Sequence, residues 1–202
     1  MKTGWPRVPS GRATLPAWVQ AAILLSLQLM IALRYWPLGR LPEMLWMCYV
    51  MADCLVLGLL LNLAALRAMA CLFHLSVGLP AYLLHLLGGG DSSLASFVFH
   101  LATPWFGWLA CRAEAMPAPT AWRCFVVYGG LLALCRYVTP AALNINLAFH
   151  PWPPLAGLGF WGSLSINAIL MLGLLLLAQW GWNRQEQIKS KSPLAPLFQR
   201  GE

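Results

Sequence analysis

Few residues in this chain could do chemistry, and two of them stand where a charge is expensive. His100 lies in the apolar run Ser93 to Trp105, four residues before Pro104. Asp53 lies in another, Met44 to Leu66. Ionisable side chains inside membrane spans face a bundle interior or a wet cavity, and they are functional-site candidates by default. An imidazole there can act as general acid or base, with a carboxylate orienting it. The two groups can instead titrate along a solute or proton path. They can also simply staple two helices, since interhelical polar contacts in membranes are worth about 0.6–2 kcal/mol.

Other signatures of chemistry are absent or weak. Ser96 and His100 are four apart and share a helix face, a spacing common by chance for a nucleophile and its base. Cys48, Cys54, Cys71, Cys111, Cys124 and Cys135 form no CxxC pair and read as small packing residues. His74 and His85 are separated by about 16 Å of helical rise and cannot clasp one haem. His74, about 9 Å from one membrane boundary at the same rise, reads as a packing histidine. There is no phosphate-binding glycine loop, zinc spacing or HExxH pattern. The expectation is no metal and no cofactor.

The elements that hold these residues follow from composition. Of 202 residues, 60% are hydrophobic and 9% charged, against roughly 25% charged in soluble domains. Lipid is the solvent that fits. The spacing of apolar runs predicts an all-α, polytopic transmembrane helical bundle of six spans. They cover about 17–33, 44–66, 68–87, 92–111, 121–138 and 159–180, together the transmembrane domain 17–180. Residues 1–16 form a basic N-tail and 181–202 a basic, partly disordered C-tail. The first run reads as an uncleaved span. Arg67 marks a tight turn, and Asp91 or Ser92 can cap the fourth span.

Six spans put both termini on one side. That side collects ten of the thirteen Lys and Arg, and the other receives only Arg34, Arg40 and Arg136. Basic residues favour the cytoplasm, so both termini are expected there, in an inner membrane. The net charge of +7 is thus explained by topology, and no nucleic acid is expected. Asp53 and His100 then lie about 13 Å below the outer boundary, at about 1.5 Å per residue, and are expected to pair. His85, Arg136 and the link residues Asn144, Asn146 and His150 lie above them and are expected to converge on one outward-facing site. The expected partners are membrane lipids and another membrane protein.

The order Phe99-His100-x-x-x-Pro104-x-x-x-Trp108, then Asn144-Ile145-Asn146-x-x-Phe149, resembles a family of bacterial six-span membrane proteins without assigned activity. Their matching stretches read FHxxxP and NIN or NVN, and Asp53 matches an acid in their second span. The resemblance, from roughly residue 46 to 178, implies fold and candidate positions. The order of elements is also faintly similar to the androgen-induced membrane hydrolases, which use an intramembrane threonine and histidine. That similarity implies a catalytic role for His100, although span two contains no threonine.

Three classes of function follow. The protein binds a lipid or partner without chemistry of its own, or it is a lipid-acting enzyme using His100 and Asp53, or it moves a small solute or proton. The chain shows no inverted repeat of the kind that many transporters carry.

Overall fold

Many large apolar side chains are outside, while several polar ones are inside. Leu29, Leu33, Leu84, Trp105, Val126, Trp161, Ile169 and Leu177 are exposed, while Gln20, Gln28, His74, His100, Thr103, Ser163 and Gln179 are buried. In water that arrangement would expose far more apolar patch than a soluble monomer carries. In hydrocarbon it is the stable one, and helices satisfy every backbone group within one segment.

The computed structural model describes residues 15–90, 93–112, 114–151 and 153–191, and every regular element among them is helical. The expected N-tail up to residue 14, the expected caps Asp91 and Ser92, and the C-tail from residue 192 lie outside them. Helix α1 spans Ala17–Tyr35, α2 Met47–Leu60 and α3 Ala64–Phe73. A π-turn at His74–Gly78 joins α3 to α4, Leu79–Leu87, in one span. Helix α5 covers Leu94–Cys111, α6 Thr120–Val138 and α7 Gly159–Lys191. Five of the resulting helical runs are long and apolar enough to cross a membrane, and α2, with 14 residues, is apolar but shorter.

Two element boundaries differ from the sequence reading. Span two ends at Leu60, and the turn to α3 is made by Leu61 to Leu63, with Asn62 in the left-handed region at φ 54°. Arg67 is therefore not the turn. It sits in the first turn of α3, and its guanidinium reaches back to Asn62 Oδ1 at 2.6 Å and the Gly58 carbonyl at 3.4 Å. A cation on the last carbonyls of α2 serves as its C-terminal cap. The last helix continues past Trp180 to Lys191, because nothing between Gly181 and Lys191 breaks a helix. Three groups on α7 also fasten it there. Gln179 binds the Ala121 N–H and the Ala118 carbonyl, both at 2.7 Å. Trp182 Nε1 donates to the Glu114 carbonyl, and Asn183 bonds both backbone groups of Met116.

Helix α3 is the hub. Ala68 to Phe73 are all buried, and α3 packs against α2, α5, α6 and α7. Its approach to α5 requires Gly107, because a Cβ there would meet Cys71 Cα at 3.1 Å. The links 36–46 and 139–151 meet at what we term the head end, the end at which α4 also finishes. The α2–α3 turn, residues 114–119 and the end of α7 lie at the tail end.

Candidate functional site

Six residues into α5, His100 is 5% exposed. The helix begins at the Ser93 cap, whose hydroxyl accepts from the Ser96 N–H at 3.1 Å. The imidazole Nδ1 lies 2.8 Å from the Ser96 carbonyl. A carbonyl only accepts, so Nδ1 carries the proton and Nε2 is the acceptor of the neutral ring. Pro104 has no N–H to give the His100 carbonyl, so α5 also leaves a backbone acceptor at this level.

The His100 ring is held by aromatic faces. Tyr82 of α4 lies flat against it, with centroids 3.8 Å apart and planes 2° from parallel. Phe99 and Tyr49 present edges at 5.2 and 6.2 Å. On the same helix face as Tyr82, His85 continues the stack at 6.5 Å and 30°. His85 is exposed near the end of α4. The series His85, Tyr82, His100 thus runs from the head-end surface into the buried layer. Sequence reasoning named the two histidines but not Tyr82 or Tyr49.

Asp53 does not join this layer. It also stands six residues into its helix, yet it is exposed on α2, next to the Gln28 amide of α1. Among the described residues no hydrogen bond or ion pair links it to His100. The two groups stand equally far along their helices but do not face each other. Gln28 itself donates to the Tyr49 carbonyl at 3.0 Å. A lone carboxylate in hydrocarbon costs about 2.5–3.5 kcal/mol on insertion scales. Asp53→Leu is therefore expected to make α2 insertion more favourable by about that amount, read by glycosylation mapping, while leaving the His100 NMR signals unchanged. A displaced His100 resonance would instead show that the two groups are coupled.

The link residues form architecture rather than a shared pocket. Asn146 is buried, its Oδ1 accepts from the Met47 N–H at 2.9 Å, and its Nδ2 donates to the Leu45 carbonyl at 2.8 Å and to Cys135 Sγ at 3.5 Å. Asn144 Oδ1 accepts from the N–H groups of Phe149 and His150, and its Nδ2 donates to the His150 carbonyl. Both asparagines sit at positive φ, 43° and 54°, which Asn tolerates better than most residues. Arg136 donates to the Ala148 carbonyl at 2.7 Å and lies over the Phe149 and Phe160 rings at 5.8 and 5.0 Å. His150 is exposed. Of the expected convergent set, Asn144 and His150 are hydrogen-bonded to each other, and His85 is linked to His100 through Tyr82.

His74 is the most buried histidine, at 1%. It opens the π-turn, which widens the helix where the Pro80 ring would press on the preceding turn. Phe73 meets its ring edge-on at 5.4 Å, and a Cβ at Gly78 would stand 3.0 Å from its Nδ1. Neither ring nitrogen has a hydrogen-bond partner, and the nearby Cys48 backbone lies outside bonding geometry. Among the described residues no group of His, Cys, Asp and Glu side chains is placed to hold a metal ion. No protein-family model, curated protein or solved structure matches this chain.

Proposed function

We propose that this chain is a six-span protein of a bacterial inner membrane, with α2 as the sixth span, both termini cytoplasmic and the head end periplasmic. The charge bias of the links supports that orientation. Its function, on this reading, is to bind an outer-leaflet lipid whose head group donates a hydrogen bond. The observation that carries this is the His85–Tyr82–His100 series, which leads from the head-end surface to an imidazole whose Nε2 is an acceptor. A second reading is a lipid-acting enzyme with His100 as general base. It is favoured by the Nδ1 bond to Ser96, which fixes the tautomer that a base needs.

The test uses two zwitterionic lipids. Phosphatidylethanolamine donates hydrogen bonds and phosphatidylcholine does not. One hydrogen bond to a buried acceptor is worth about 1–1.5 kcal/mol, so native mass spectrometry is expected to show about five- to tenfold tighter retention of phosphatidylethanolamine. Equal retention of the two overturns the reading.

A further inference from the structure

The bundle buries a second set of polar groups, distinct from the His100 stack, and leaves them without protein partners. They are His74 Nδ1 and Nε2 in the π-turn, and Ser163 Oγ and Asn167 Nδ2 on α7. Each has essentially no accessible surface. Buried polar atoms in folded proteins are almost always bonded to protein or to ordered water. Four such atoms therefore need an explanation.

The packing brings them to one level. Ser163, Asn167, Met171 and Leu175 recur every four residues and line one stripe of α7. Met171 and Leu175 belong to the same buried cluster as Leu72 and Phe73. Helix α7 runs from the head end to the tail end, and α3 with its π-turn runs the opposite way. One and two turns toward the head end from Met171, Asn167 and Ser163 are therefore level with His74–Gly78, against which α7 packs.

The donor and acceptor inventory selects what can fill this junction. A neutral imidazole offers one N–H donor and one lone-pair nitrogen, Asn167 Nδ2 offers donors, and Ser163 Oγ can do either. A metal ion would leave the Asn167 and His74 N–H groups unpartnered. An anion would leave the imidazole lone pair unpartnered. A water molecule presents two donors and two acceptors, and buried waters commonly make about three such bonds.

We propose that His74, Ser163 and Asn167 form an intramembrane hydration site, holding ordered water where α7 crosses the π-turn. The water closes the hydrogen bonds that the widened turn leaves open, and it sits beside the buried imidazole that the sequence had suggested was packing alone. The site stands whether or not His100 binds a lipid.

The experiment is water-edited solid-state NMR on the full chain, with 15N-labelled His and Asn, in bilayers of deuterated lipid. Magnetisation transfer from water to the His74 ring and to the Asn167 amide is expected, and it disappears in D2O. Ser163→Ala combined with Asn167→Leu is expected to reduce transfer at His74 at least fivefold while the His100 ring signals stay in place. That double variant alters no histidine, so retained His100 signals certify the fold. Absence of transfer to His74 in the unaltered protein overturns the proposal. Transfer that persists undiminished in the folded double variant also overturns it, because α7 then does not line the site.

Discussion

Asn146→Leu is expected to be among the most destabilising single substitutions in this protein, by about 2–6 kcal/mol. The figure comes from two backbone groups, one buried and one part-buried, losing their partners at about 1–3 kcal/mol each. They are the Met47 N–H and the Leu45 carbonyl, which the Asn146 amide bonds at 2.9 and 2.8 Å. Helix α2 begins at Met47 behind Trp46, which supplies no side-chain cap. Its first N–H groups are orphans by helix geometry, and Asn146 satisfies one of them from 99 residues away. Leucine also tolerates the left-handed backbone at this position less well than asparagine. Steric trapping in bicelles reads the loss directly. Asn146→Asp should fall between the two, since it keeps an acceptor for Met47 but offers Leu45 no donor. An effect of Asn146→Leu below about 1 kcal/mol would mean that the link does not anchor α2.

His100→Phe is expected to abolish head-group discrimination without unfolding the bundle. Phenylalanine keeps a flat ring for the stack on Tyr82 but has no acceptor at the Nε2 position. Retention of phosphatidylethanolamine should fall about five- to tenfold, to the level of phosphatidylcholine, the loss of one hydrogen bond. His100→Gln restores an acceptor and loses the stack, so it should recover part of the discrimination at reduced stability. If His100→Phe keeps the preference, the head group is held elsewhere, and the outer links become the place to look.

Fold class was legible because hydrocarbon imposes a simple rule, that runs of apolar residues become helices. Position along a helix was legible too, and Asp53 and His100 each stand six residues past the first residue of theirs. Direction was not. A membrane helix is apolar all round, so its residue pattern scarcely reports which face meets a neighbour, and Asp53 turned toward Gln28 instead of His100. The uncharged amides were missed for a related reason. Gln28, Asn167 and Gln179 hardly perturb an apolar run, yet each is a polar group that lipid cannot satisfy. Their presence in a span was the available signal that those faces point inward. Asn146 was named as a ligand residue and turned out to bind backbone, because a link residue's role depends on which helix end lies beneath it.

The short second helix has a consequence for the lipid around it. Fourteen residues of α2 rise about 21 Å, less than the roughly 30 Å of a bilayer's acyl layer. The other five helical runs are longer, and α7 is tied to the 114–121 link by Gln179, Trp182 and Asn183, so it cannot lean over to even out the difference. On the six-span reading proposed above, the shortfall falls on the membrane, which dips beside α2. Short-chain lipids should gather along that flank, and interfacial water is drawn closer to the Asp53 carboxylate than its place in the chain alone would suggest.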